Sequence, residues 1–156
     1  MYADTIDALN GFDGVWRRVT GAESPEPSDL CALIDKASRL KELYCALARR
    51  CPSASARFSR MAAQECALIR RLTAENFLQT GCCCAPSEAC ALVQGTLCAL
   101  RCAYLSSCEL AEGLKKAAAN SCGELCTTLK ELYNAERRRS CELRELILRA
   151  MGANCT

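Results

Sequence analysis

The chain has 156 residues, 51% of them apolar and 5% aromatic, with 20 basic and 18 acidic side chains that leave a formal net charge of +2. That length suits one domain with a sizeable core, and an excess of Ala and Leu over β-branched residues favours helix over sheet. Near-neutral charge removes the electrostatic case for nucleic acid or an anionic membrane surface as partner, and no run approaches the roughly 20 apolar residues of a membrane span.

Residues 1–27 read as a leader. One or two helical turns are expected near Thr5–Asn10, followed by GFDGVWRRVTG and the Pro-flanked ESPEPSD. The first residues lack the basic-then-apolar layout of a signal peptide, so the expected compartment is the cytoplasm. Ser28 or Asp29 can cap a first long helix, in which Leu30, Leu33, Ile34, Ala37, Leu40, Tyr44, Leu47 and Ala48 recur at spacings of three and four. Pro52 disfavours helical geometry at Cys51 and should end that helix near Arg50. A second helix is expected from Ser53–Ala56 to about Leu78, stopping at Thr80-Gly81, with Phe58, Met61, Ala62, Glu65, Leu68, Ile69 and Leu72 on its inner stripe.

Residues 79–96, interrupted by Gly81, Pro86 and Gly95, read as a connection with a short helix inside it. A third helix follows from Leu97 to about Ala119, with Leu97, Leu100, Tyr104, Ser107, Ala111 and Leu114 inward. The fourth runs from near Glu124 to Met151, with Leu125, Leu129, Leu132, Glu136, Arg139, Leu143, Leu146 and Ile147 inward. Four long amphipathic helices with the longer link in the middle predict an all-α four-helix bundle over 28–151, two antiparallel hairpins joined by a crossover, and a short tail at 152–156.

Two counts are unusual: the chain has no His and 15 Cys. Without His there is no Ser–His or Cys–His pair for nucleophilic catalysis, and the commonest metal ligand is missing. In a reducing compartment the thiols are expected to stay mostly reduced and pack as small hydrophobes, not to form a disulfide framework. Cys98 with Cys102 and Cys122 with Cys126 are spaced one helical turn apart, but antiparallel helices place the two pairs about 30 Å from each other, too far to share a metal. Cys82, Cys83, Cys84 and Cys90, on the connection, are the candidates for reactive thiols.

The stretches IDKASRLKELYCALARR (34–50), FSRMAAQECALIRRLTAENFLQTG (58–81), LRCAYLSSCELAEGLKKAA (100–118) and LYNAERRRSCELREL (132–146) together resemble the ferritin-like, rubrerythrin-type di-iron family. In that family the first helix carries a ligand Glu seven residues before a Tyr, which from Tyr44 falls on Ala37. The second carries Glu-x-x-His, here Glu65 and Leu68. A ligand Glu three residues after a Tyr of the third helix falls on Ser107, from Tyr104, and the fourth repeats Glu-x-x-His at Glu136 and Arg139. The resemblance thus implies a scaffold that keeps Glu65 and Glu136 and has lost its ligands at Ala37, Leu68, Ser107 and Arg139. Two lone carboxylates cannot hold a di-iron pair.

Removing metal from between carboxylates leaves buried negative charge that must be paired or neutralised. Arg139 lies on the face of Glu136 and could bridge Glu65 and Glu136 with its fork of donors, Leu68, Ala37 and Ser107 closing the remaining space. Alternatively it turns outward to solvent with Arg137 and Arg138. No cofactor is expected. The expected function is non-catalytic, a structural or interaction module with an unknown protein partner or a second copy of itself. The alternatives are a thiol-based redox or metal-handling protein, with iron or zinc, and a rubrerythrin-like oxidoreductase with residual iron binding.

Overall fold

A computed structural model of the chain describes residues 27–84 and 95–153. These form an all-α bundle of four long helices: α1 (Pro27–Arg50), α2 (Ser55–Thr80), α3 (Thr96–Ala119) and α4 (Gly123–Ala153). The leader with its expected short helix, Cys90 and the last three residues lie outside the described residues.

Local chemistry explains each boundary. Helix α1 begins at Pro27, one residue before the expected start at Ser28, because the fixed φ of proline suits a first helical turn. Asp29 in its first turn and Arg49 and Arg50 in its last complement the helix dipole. A single 3₁₀ turn, Pro52–Ala54, then reverses the chain into α2. Helix α2 closes on Gly81, whose φ of 70° is left-handed and whose N–H bonds the Phe77 carbonyl at 2.7 Å.

Helices α1 and α2 pack as one antiparallel hairpin, α3 and α4 as the other. Between the hairpins, α1 lies against α3 and α2 against α4. Leu33, early in α1, meets Gly113, late in α3, so these two helices are antiparallel. Helices α2 and α3 therefore run in the same direction, and Cys84 and Gly95 stand at opposite ends of the bundle. A hairpin–crossover–hairpin arrangement requires that placement.

The core is aliphatic. Leu40, Leu47, Leu72, Leu110, Leu114, Leu129 and Leu143 are fully buried, with Tyr44, Phe58 and Met61 filling the larger spaces. Burial of each such side chain stabilises the fold by about 1.5–3 kcal/mol. The inner stripes differ from the expected ones in a few places. Ile69, Leu97 and Tyr104 are only half-buried, whereas Ala99, Ala103 and Leu110 are buried, so α3 is turned slightly to bring its small residues inward. Tyr104 instead keeps its polar end toward water at the bundle edge. Asn76, absent from the expected stripe, is 1% exposed.

The largest correction concerns the cysteines. Cys31 of α1 and Cys84 form a disulfide, with Cα atoms 5.5 Å apart. Most of the described cysteines are reduced, as expected, but this pair is bonded, and Cys84, a candidate reactive thiol, is not free. The antiparallel hairpin is the physical reason: it returns the end of α2 to the start of α1, so residues 53 apart in sequence become neighbours. Among the described residues no second disulfide joins it, and Cys82, Cys83, Cys98, Cys122 and Cys141 are exposed thiols.

Candidate functional site

Halfway along the bundle a cluster of polar side chains interrupts the aliphatic core. Helix α2 contributes Glu65, α3 Ser107, and α4 Glu136, Arg139 and Ser140. Glu65, Ser107 and Glu136 have no exposed surface, and Arg139 is 6% exposed. Helical periodicity puts them there. Glu65 follows Met61 and Ala62 and precedes Leu68 on the inner face of α2; Glu136 and Arg139 fall between Leu132 and Leu143 on that of α4.

Arg139 lies inside the bundle, between the two carboxylates. Its Nε is 2.9 Å from Glu65 Oε1 and donates to Glu136 Oε2 at 3.1 Å, while its Nη2 also donates to Glu136 Oε2. The other Glu136 oxygen accepts from the Ser107 hydroxyl, which sits 2.9 Å from Ser140 Oγ. Ser140 in turn reaches the Glu136 carbonyl at 3.1 Å. Ala37 and Leu68 close the space with apolar surface, 0% and 2% exposed. Arg137 and Arg138 are exposed. Ala37, Glu65, Leu68, Ser107, Glu136 and Arg139, the six positions that the resemblance aligns with metal ligands, all lie buried.

The electrostatics of the centre are uneven. Glu136 is saturated with donors, whereas neither Glu65 oxygen receives a hydrogen bond of good geometry, its approach to Arg139 being an ion contact. Burial, and then the neighbouring Glu136 carboxylate, outweigh the attraction of Arg139 and push the Glu65 pKa up to about 9. At neutral pH Glu65 is therefore held protonated, which lowers the negative charge buried beside Arg139. Arg139 is held firmly charged: the two carboxylates raise its pKa against the opposing effect of burial. The Tyr44 hydroxyl is buried against the same group without completing a hydrogen bond, and burial with the nearby carboxylates raises its pKa as well.

The donor set does not fit a di-iron pair. Two carboxylates remain, no nitrogen donor stands at Leu68, and at Arg139 a permanent cation lies against both acids. Among the described residues no group of three or more Cys, Asp or Glu is arranged to hold a metal ion. Surface depressions of about 280–710 Å³ lie over α1, α3 and α4 and are lined by charged side chains such as Lys36, Glu109, Lys116, Arg137 and Glu145, not by the cluster's charged groups.

The second buried polar feature lies at one end of the bundle. Asn76 donates through Nδ2 to the Cys82 carbonyl at 2.9 Å, and its Oδ1 faces Cys31 Sγ at 3.9 Å. Thr80 Oγ1 accepts from the Cys82 N–H at 3.1 Å. Sequence inspection missed Asn76. The available signal was its position four residues after Leu72 on the inner stripe, where a polar side chain needs a buried partner.

Comparison with protein-family models, with characterised proteins and with solved structures gives no match to this chain. The fold and site define an all-α four-helix bundle of hairpin–crossover topology with a closed ionic centre. No helix among the described residues is long and apolar enough to cross a membrane.

Proposed function

We propose that this chain is a ferritin-like bundle of rubrerythrin type that has lost its di-iron site and works as a non-catalytic structural or interaction module, binding a protein partner or another copy of itself in the cytoplasm. The observation that carries the reading is Arg139, which at a former ligand position stands against both Glu65 and Glu136. A guanidinium there supplies the charge that metal would have supplied, and a packed centre leaves no room for a substrate. The gathering of these six positions at mid-bundle supports the ancestry.

Elemental analysis of protein purified anaerobically under reducing conditions tests the loss of metal. Metal well below one atom per chain is the expected result, and near-stoichiometric iron or zinc overturns it. A quadruple replacement, A37E/L68H/S107E/R139H, tests the ancestry. If the alignment of positions is right, the folded variant gains tight Fe(II) binding that the parent lacks. A folded variant indifferent to iron counts against it. A thiol-based redox role is the second reading, favoured by the Cys31–Cys84 bond.

A further inference from the structure

The Cys31–Cys84 disulfide joins the first turns of α1 to the chain just beyond α2, and its surroundings differ from those of a buried structural crosslink. Both cysteines are half-exposed, and Cys82 and Cys83 beside them are exposed. An incoming thiol therefore reaches the bond without unfolding the bundle. The chain around it is held in two distinct ways. Up to Cys82 it is pinned by hydrogen bonds: Gly81 N–H to Phe77, Cys82 N–H to Thr80 Oγ1, and the Cys82 carbonyl to buried Asn76. Among the described residues Cys83 and Cys84 make no such bonds, and are held by the disulfide and by the packing of Cys84 against the core. The pinned part ends where the crosslinked part begins, so breaking one bond releases Cys83–Cys84 from α1 and leaves Asn76 and the Gly81 turn in place.

The other described thiols point the same way. A chain matured into an oxidised framework does not leave exposed Cys82, Cys83, Cys98, Cys122 and Cys141 unbridged while its described residues close a single bond. We infer that Cys31–Cys84 is a reversible redox clasp, opened by a dithiol reductant and closed by a disulfide oxidant while the four helices stay folded. On opening, one thiolate of the dithiol attacks Cys84 Sγ, breaking the bond to Cys31 and forming a mixed disulfide; the Cys31 thiolate leaves and takes up a proton. The second thiolate of the dithiol then attacks its own sulfur in the mixed disulfide and releases the Cys84 thiolate. Two electrons pass to the protein and the reductant leaves as its own disulfide. Closing with a glutathione-type disulfide follows the reverse order, through a mixed disulfide on one of the pair that the other resolves.

This inference does not depend on the origin of the ionic centre. Its test is stepwise reduction of the air-oxidised full chain with dithiothreitol, followed by mass-mapped alkylation, circular dichroism and hydrogen exchange. Before reduction, alkylation labels Cys82 and Cys83 but not Cys31 or Cys84. Low-millimolar dithiothreitol then makes the pair labelable with helical signal unchanged, speeds exchange in the peptides covering 28–34 and 76–84 about tenfold or more, and lowers Tm on the order of 10 °C. Glutathione disulfide restores all three readouts. The variant C31S shows the reduced exchange pattern under oxidising conditions, and C83S still forms and opens the bond. The clasp is overturned if Cys31 and Cys84 are labelled in the oxidised protein, if the bond yields only under denaturant, or if C31S exchanges like the oxidised parent.

Discussion

The two hairpins meet along two seams built on opposite principles. Where α1 meets α3, the helices approach closely, with Leu33 seated on Gly113, and Ala37, Ala103, Leu110 and Leu114 buried around them. Where α2 meets α4, the backbones stand further apart and charged side chains span the gap. As α2 runs from Arg60 through Glu65 to Arg71, its partners on α4 run back from Glu142 through Arg139 to Glu131. The ladder changes sign at its middle rung, so each helix carries both charges. That reversal disfavours register slips, since a displaced α4 would bring like charges together. The apolar seam is stabilised by area and shape, the charged seam by pairing. Only the middle rung of the latter is dry.

That middle rung is the place where the comparison breaks most sharply. Removing the guanidinium with R139A leaves two buried acids facing each other with no counter-charge, and should destabilise the bundle by about 3–5 kcal/mol. Urea denaturation at pH 7 measures it. R139L, which refills the volume but not the charge, should recover little of that loss. A loss as small as that of an exposed arginine would mean that Arg139 does not balance the centre.

The proton on Glu65 gives a pH dependence with a definite sign. Its folded pKa of about 9 lies above the ordinary value of 4.5, so the folded chain keeps a proton that the unfolded chain releases. This contribution to stability is fully present below about pH 4.5, and is lost progressively as pH rises toward 9. E65Q mimics the protonated acid and removes the dependence. Between pH 5 and pH 8 the parent should lose about 4 kcal/mol relative to E65Q, read as the difference between paired denaturation curves. Parallel curves would place the proton elsewhere.

The apolar seam answers to volume alone. A Cβ at Gly113 would lie 2.5 Å from Leu33 Cδ2, a contact that the leucine must relieve by moving its end. G113V cannot be relieved so cheaply and should cost about 1–3 kcal/mol, independent of pH and salt. In an L33A background G113A should instead stabilise by about 1 kcal/mol, because the clash is gone and alanine is the better helix former. Failure of that reversal would mean that the two residues are not in contact.

The two seams were not equally legible in the sequence. The apolar stripes of α1 and α2 follow directly from spacings of three and four, and so does the hairpin–crossover order, because the one long link falls between the second and third helices. The interior position of Arg139 did not follow. Periodicity puts Arg139 on the inner face, but Arg137 and Arg138 beside it are exposed, and only the carboxylate of Glu65 across the bundle decides between a solvated and a buried guanidinium. The outer rungs were invisible for a related reason: exposed Arg and Glu are so common on helices that pairing depends on register between helices. The Cys31–Cys84 bond and Asn76 were missed because both depend on where the end of α2 returns. Compartment arguments about thiols say nothing of which two meet.

The outer rungs give the smallest effect and the cleanest contrast with the middle one. Arg60 and Arg71 are about half exposed, as is Glu131, so water and salt screen both pairs. A double-mutant cycle on Arg60 and Glu142, with alanine at each position, should return a coupling of about 0.2–1 kcal/mol at low salt that fades by 0.5 M NaCl. Glu142 is the better-buried member, with its side chain 25% exposed, so the Arg60 pair should couple more strongly than the Arg71–Glu131 pair. The same salt series should leave the R139A cost almost unchanged, because counter-ions do not reach a dry centre. If salt erased that cost as well, the middle rung would be as wet as its neighbours, and α2 and α4 would be joined by surface charge alone.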